Sequence, residues 1–168
     1  MRNIIADHSC NAYLKPGEVI VSCNPVIVST VLGSCVAITM YSPKKNVGAI
    51  CHAMYPNNAT QDENLLYVDS AVRHLYRKMR DYGGETDMVV KLFGGAQVLA
   101  SGDYHQEKMT VGEQNIMQAE KILKELGLHV SKADIGGTQG RKLFFSIKTG
   151  DVYLRRLRLR GDVVGGSA

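Results

Sequence analysis

The stretch VSTVLGSCVAITMYSPKKNVGAICHAMYP, residues 28–56, decides how the rest of the chain is interpreted. It contains two runs rich in strand-forming residues, 36–41 and 47–55, on either side of the segment SPKKN at 42–46. Proline, serine and asparagine favour turns, so the pattern predicts an antiparallel β-hairpin. A cysteine, Cys35, precedes the first strand, and a histidine, His52, lies 17 positions later in the second.

The pairing of the two strands follows from their apolar pattern. If the turn centres between Pro43 and Lys44, Met40 pairs with Val47. One face of the hairpin is then entirely apolar: Val36, Ile38, Met40, Val47, Ala49 and Cys51. The same register places Cys35 directly opposite His52, and side chains in that relation have Cβ atoms about 4.5–5.5 Å apart. The sequence therefore predicts a thiol and an imidazole close enough to share a proton.

Such a pair favours nucleophilic catalysis. A free thiol has a pKa of about 8.5, and a neighbouring histidine that takes its proton lowers that pKa. The backbone at Gly33 and Ser34 would approach a substrate closely and hold an oxyanion. The hydroxyl of Ser29 or of Thr30 would orient His52, and the residues alone do not choose between them. The alternative is that Cys35 and His52 are ordinary residues of a buried sheet.

The rest of the chain predicts two helices and about eight strands. An apolar period predicts a helix over residues 68–79 with Asp69 as its cap, and a second begins at Thr110 with Glu113 in a capping box. The fold class is therefore α+β: a layered α/β sandwich with a mixed, largely antiparallel sheet and two main helices. We expect one domain over residues 1–160 and a flexible tail over 161–168.

Composition excludes several classes of protein. A net charge of +4, four cysteines without zinc spacing and no long apolar run predict a cytoplasmic protein without disulfides, metal or membrane insertion. The basic segment YLRRLRLR, residues 153–160, has no aromatic stacking pattern. It favours a charged edge strand over a nucleic-acid surface.

Several motifs occur in the order typical of one family. They are STVLGSCV (29–36), GAICHAMYP (48–56), KLFGGA (91–96), VGEQN (111–115), DIGG (134–137) and GRK (140–142). Together they resemble the CheD family, the chemoreceptor glutamine deamidases of bacterial and archaeal chemotaxis, over roughly residues 16–157. The fold of that family resembles glutamine-deamidating bacterial toxins, which agrees with an α/β sandwich.

The resemblance implies a protein-glutamine glutaminase. In the family a Cys-His-Thr site hydrolyses glutamine side chains of methyl-accepting chemotaxis receptors to glutamate and ammonia, with no metal or organic cofactor. Carried over, Cys35 is the nucleophile, His52 the base, and Ser29 or Thr30 the orienting hydroxyl. The implied partners are chemoreceptors and the CheC phosphatase. Two alternatives remain: a non-catalytic chemotaxis adaptor that binds receptors or CheC, and a cysteine hydrolase with another substrate, such as a peptidase.

Overall fold

The computed structural model describes residues 10–60, 62–98 and 108–158, so the predicted tail at 161–168 lies outside the described residues. The described chain forms nine strands and two helices. In chain order they are β1 (Asn11–Tyr13), β2 (Val19–Ser22), β3 (Ile27–Leu32), β4 (Val36–Ser42), β5 (Val47–Ala53), α1 (Val68–Asp81), β6 (Val89–Gly94), α2 (Val111–Glu125), β7 (Val130–Ile135), β8 (Arg141–Ser146) and β9 (Val152–Arg156).

The strands form two sheets. The first, which we call the outer sheet, has the order β1-β3-β8-β9, and the second, the central sheet, has the order β2-β5-β4-β6-β7. The pairs β1–β3 and β6–β7 are parallel and the others antiparallel. One apolar cluster joins the two sheets, and another joins the central sheet to both helices. The predicted α+β sandwich with two main helices is thus confirmed, with the central sheet as its middle layer.

Both helices form where the apolar period predicts them. The capping box of α2 is present: the Thr110 hydroxyl accepts from the Glu113 backbone N–H at 3.2 Å, and the Thr110 N–H donates to the Glu113 carboxylate at 2.8 Å. The predicted cap of α1 is wrong. Its N-cap is Tyr67, which makes no side-chain capping bond, and Asp69 lies inside the first turn. The Asp69 carboxylate instead accepts from the backbone N–H of Asn58 at 3.1 Å.

The β4–β5 hairpin differs from its predicted register by two residues. Met40 pairs with Ala49, and Ala37 pairs with His52. The turn is a four-residue loop, 43–46, in which Asn46 has a φ of 49°, a left-handed conformation that asparagine tolerates. Asp87 stabilises this longer loop by accepting from the Ser42 hydroxyl at 2.5 Å. A shift of two residues preserves which side each residue faces, so the predicted apolar face is confirmed, while the direct opposition of Cys35 and His52 is wrong.

The basic segment near the end of the described chain forms the edge of the outer sheet. Strand β9 ends at Arg156, earlier than predicted, and β8 is its one partner among the described strands. The Arg156 guanidinium contacts the Asp134 carboxylate of the central sheet at 2.8 Å. This agrees with a charged edge strand. Within the described part of the chain, neither helix is long and apolar enough to cross a membrane.

Candidate functional site

The loop that carries Cys35 connects the outer sheet to the central sheet and is held by three consecutive carbonyl groups. The Gly33 oxygen accepts from the backbone N–H of Ala96 at 2.9 Å, and the Cys35 oxygen accepts from that of Gly95 at 2.8 Å. Between them, the Ser34 oxygen accepts from the Asn115 side chain at 2.9 Å. Two separate elements, the end of β6 and helix α2, therefore fix the backbone on which the thiol is carried.

A glycine makes this close approach possible. Gly94 ends β6 with a φ of 106°, a conformation that residues with a Cβ rarely adopt. A Cβ built on Gly94 would clash with the Cys35 carbonyl oxygen. The two glycines of the KLFGGA motif thus have separate causes: Gly94 lies against the cysteine loop, and a Cβ on Gly95 would clash with Ile116 of α2.

His52 lies on the face of β5 that points toward the outer sheet, and only 2% of it is exposed. Its Nδ1 atom is 2.8 Å from the Thr30 hydroxyl oxygen, which itself donates to the Leu14 carbonyl oxygen at 2.8 Å. A hydroxyl has a single hydrogen, so Thr30 must accept from His52, and Nδ1 therefore carries the ring proton. Nε2 is consequently the unprotonated nitrogen.

The two candidate orienting hydroxyls lie on opposite faces of β3. Alternate residues of a strand point to opposite sides, and Thr30 shares its side with Val28 and Leu32, which belong to the cluster between the sheets. Ser29 points to the outer face, in the row where it pairs with Tyr13 and Phe144. The structure therefore brings Thr30 to His52 and does not bring Ser29 there.

Cys35 lies on the same side of the central sheet as His52 but diagonally from it. Ala37 is the residue opposite His52, and Cys35 precedes it by two positions. His52 Nε2 is buried, and no described residue, the Cys35 thiol included, forms a hydrogen bond with it. Diagonal neighbours have Cα atoms about 7–8 Å apart and Cβ atoms somewhat closer, which long side chains can bridge.

Burial holds both groups in their neutral forms. It raises the pKa of the half-buried Cys35 thiol, an effect that the cysteine's own backbone N–H partly offsets. It lowers the pKa of His52 to about 4, and the Leu14 backbone near the ring partly offsets this. The expected lowering of the Cys35 pKa is therefore wrong for the protein without substrate. The site stores a thiol beside a neutral base, with the proton still on sulfur.

Asn115 contributes to the site, although the sequence did not single it out for chemistry. It is fully buried on α2, and its Nδ2 atom donates to the Ser34 and Met54 carbonyl oxygens at 2.9 Å each. The available signal was its spacing, because it falls in step with the buried residues Ala119, Ile122 and Leu123. A polar residue in a buried helical stripe needs hydrogen-bond partners, and here they are the two segments that carry Cys35 and His52.

Other reactive groups lie apart from this site. Cys51 points to the helix side, where full burial raises its pKa to about 12. His74 contacts Glu63 at 2.9 Å on the exposed side of α1, beside a charged surface cavity of about 540 Å³ that no residue of the site lines. Among the described residues, no group of three or more histidine, cysteine or acidic side chains is placed to hold a metal ion.

The chain is similar to known proteins of one family. The family model described as CheD chemotactic sensory transduction matches residues 52–156. The chain is 41% identical over 148 residues to the probable chemoreceptor glutamine deamidase CheD 2 of Geobacter sulfurreducens. The matched region covers 88% of this chain and 90% of the relative. The chain is 42% identical over 154 residues to the probable chemoreceptor glutamine deamidase CheD of Maridesulfovibrio salexigens, covering 86% and 91%. A Methanococcus maripaludis relative with the same description is 36% identical over 146 residues, covering 85% and 93%.

Proposed function

The chain belongs to the CheD family, and from this membership we propose that it is a chemoreceptor glutamine deamidase with Cys35 as nucleophile, His52 as base and Thr30 as the orienting hydroxyl. It hydrolyses glutamine side chains of chemotaxis receptors to glutamate and ammonia. The observation that carries the assignment of residues is the hydrogen-bond chain from Leu14 through Thr30 to His52. That chain leaves Nε2 with a free lone pair on the side of the sheet that carries the thiol.

The first half of the reaction forms a thioester. As the Cys35 sulfur attacks the carbon of the glutamine carboxamide, its proton passes to His52 Nε2, and the carbonyl π electrons move to oxygen. When the tetrahedral intermediate collapses, the C–N bond breaks and the leaving nitrogen takes the proton from Nε2, so ammonia departs. Because both resting groups are neutral, proton transfer accompanies attack and no preformed ion pair is required.

The second half regenerates the enzyme. His52 Nε2 removes a proton from water as the water oxygen attacks the thioester carbon. The C–S bond then breaks, the sulfur recovers its proton from His52, and a glutamate side chain is released. Thr30 keeps the ring in one orientation throughout, because its oxygen accepts from Nδ1 in both the neutral and the charged imidazole.

We assign the oxyanion-binding role to the backbone of the loop that contains Gly33 and Ser34. In a trans peptide the N–H points opposite to the preceding carbonyl. The Gly33 and Ser34 carbonyls point toward Ala96 and Asn115, so the N–H groups of Ser34 and Cys35 are directed the other way. Fixed donors at that position would stabilise negative charge on the carboxamide oxygen during attack.

A protein substrate is supported by the surroundings of the loop. Tyr55 follows the segment held by Asn115, and Val111 lies in the first turn of α2. These side chains are 44% and 47% exposed, so apolar surface lies on the two segments that Asn115 links, and we propose that the receptor contacts it. CheC remains a second proposed partner for the same end of the molecule, and an adaptor role would show itself as an effect on receptors that persists without Cys35.

The test is to replace Cys35 with Ala. Purified protein is incubated with a chemoreceptor from the same organism, and both ammonia release and the intact mass of the receptor are measured. The parent protein should add about one mass unit per site, as expected for conversion of an amide to an acid through a thioester. Cys35→Ala should release no ammonia above the uncatalysed rate.

Cys51→Ala is the matched control, since Cys51 lies in the same hairpin on the opposite face. It should retain activity as long as it remains folded. Equal ammonia release from Cys35→Ala and the parent protein would remove the proposed nucleophile. Cleavage of the receptor chain in place of the one-unit mass change would favour the peptidase alternative.

A further inference from the structure

The hairpin that carries the catalytic pair opens at the end where the chemistry takes place. Val36 and Ala53 are its last paired residues. Beyond them Cys35 turns toward β6, where its carbonyl accepts from Gly95, while Met54 bonds through its N–H to Leu66. The hydrogen-bond ladder between the two strands therefore ends just before Cys35 is reached. Another contact must fix the distance between the segment of Cys35 and the segment after His52, which we call the two arms.

We propose that Asn115 is a positioning residue that sets the relative placement of Cys35 and His52; this inference rests on the proposed function. One nitrogen, Nδ2, donates both of its hydrogens, one to the segment that carries Cys35 and one to the segment that follows His52. The first goes to the carbonyl of Ser34, immediately before Cys35, and the second to the carbonyl of Met54, two residues after His52. The amide thus replaces the missing ladder bond between the arms.

The position of Asn115 is itself fixed. It lies in the first turns of α2, whose start is held by the Thr110–Glu113 capping box. One residue of that turn, Gly112, lies so close to Gly95 that a Cβ would clash with the Gly95 carbonyl oxygen. The helix is thereby pressed against the end of β6, which also holds the Cys35 carbonyl, so the amide and the cysteine loop share one support.

The remaining atom of the amide argues against a purely stabilising role. Asn115 Oδ1 is buried and has no hydrogen-bond partner among the described residues. Leaving a buried acceptor unsatisfied is unfavourable, and an apolar side chain would avoid that loss only by depriving the Ser34 and Met54 carbonyls of their donor. The two bonds made by Nδ2 are therefore the reason to place an amide here, and both lead to the reactive pair.

The test compares Asn115→Leu, which keeps the branching of the side chain and removes both donors, with Gln114→Leu as matched control. Gln114 is the exposed neighbour whose side-chain amide donates to the Met109 carbonyl at 3.0 Å. In Asn115→Leu we expect kcat for receptor deamidation to fall about 100-fold with KM unchanged, since a misplacement of about 1 Å costs that much. Gln114→Leu should keep the parent kcat. A parallel loss of kcat in both variants, or a loss confined to KM, would overturn the proposal.

A second readout does not depend on deamidation. The rate of Cys35 alkylation by iodoacetamide, followed by peptide mass spectrometry at neutral pH, is measured with His52 and with His52→Gln. The ratio of the two rates reports how strongly the histidine assists the thiol. In the Asn115→Leu background that ratio should fall to about one, because the arms are no longer held in register. A ratio equal to that of the parent would overturn the inference.

The outcomes distinguish failure of the positioning role of Asn115 from failure of the proposed deamidase function. A ratio of one in the parent protein would mean that the pair is not coupled, and it would remove both. Activity lost in Cys35→Ala together with a parent-like ratio in Asn115→Leu would remove only the positioning role. Urea unfolding verifies that each variant is folded, and Asn115→Ser provides a smaller substitution with the same expected ratio. Loss of the fold in both Asn115 variants would show a structural residue and would also overturn the proposal.

Discussion

The two faces of the β4–β5 hairpin are built from the same buried strands but differ in polarity and in the environment of their cysteines. The face toward the helices is buried and apolar apart from Ser42 beside the turn, and its cysteine, Cys51, has a pKa raised to about 12. The face toward the outer sheet includes Thr39 and His52 among its apolar residues and continues to the half-buried Cys35. Neighbouring residues, Cys51 and His52, thus belong to different environments because a strand alternates.

One sheet thus carries apolar core on one face and the proposed reactive pair on the other. The helix face stabilises the fold by removing apolar surface from water, at about 25 cal/mol per Å². The opposite face contains the buried His52 Nε2, which has no hydrogen-bond partner among the described residues. Such atoms are costly to bury, and they persist where a reaction uses them.

The largest expected effect is a loss of stability when the backbone contact that supports the cysteine loop is disturbed. Gly94→Ala should destabilise the protein by about 3 kcal/mol or more, because it adds a Cβ at a φ of 106° and against the Cys35 carbonyl oxygen. Gly127→Ala is the control: its φ is 72°, nothing lies within 4 Å of the added Cβ, and about 1 kcal/mol is expected. Urea unfolding measures both. Equal losses would show that the contact with the cysteine loop contributes nothing.

The pH dependence of unfolding sharpens the contrast between the faces. The pKa of His52 is about 4 in the folded protein, below its value of about 6.5 in an unfolded chain. The unfolded state therefore binds the proton first as the pH falls. Stability should decline by about 3 kcal/mol between pH 6.5 and pH 4 and show no further His52 contribution below that. The measurement is urea unfolding against pH, with His52→Gln subtracted. A variant that declines as steeply as the parent would contradict the assignment.

The smallest effect expected is on rate, and it compares two neighbouring hydroxyls on β3. Thr30→Val keeps the shape but loses the acceptor for His52 Nδ1, so kcat should fall about 100-fold, equivalent to about 2.7 kcal/mol, with little change in fold. Ser29→Ala changes the outer face of the strand and should leave kcat unaltered. Deamidation assays on both variants decide the matter. A larger loss in Ser29→Ala would reverse the assignment of the orienting residue.

Much of the fold follows from local sequence signals. The capping box at Thr110, the apolar stripe of α1 and the alternation along β4 and β5 each identify an element without tertiary information. Strand β1 has only three residues and pairs in parallel with a strand some 16 positions later, so no local pattern marks it. The cap of α1 could not be predicted either, because Asp69 serves the 58–60 turn instead.

The sequence was enough to place Cys35, His52 and Thr30 in one candidate site, but it gave less of their geometry. Parity along the hairpin is enough to place Cys35 and His52 on one side, but the two-residue shift depends on how the 43–46 loop uses Asp87, which is far away in sequence. Burial, which sets the direction of both pKa shifts, comes from the outer sheet and cannot be derived from the hairpin alone. The role of Asn115 could not be predicted either, because its hydrogen-bond partners are backbone atoms of two segments distant in sequence.

The short strand β1 has a consequence for which nitrogen of His52 is reactive. Its neighbour Leu14 supplies the oxygen that occupies the only hydrogen of the Thr30 hydroxyl. Were that oxygen removed, the hydroxyl would be free to turn its hydrogen toward Nδ1, and the imidazole proton would move to Nε2. In the proposed reaction Nε2 is the atom that must accept the proton from the thiol. A main-chain atom close to the beginning of the described chain thus selects the tautomer on which the proposed reaction depends.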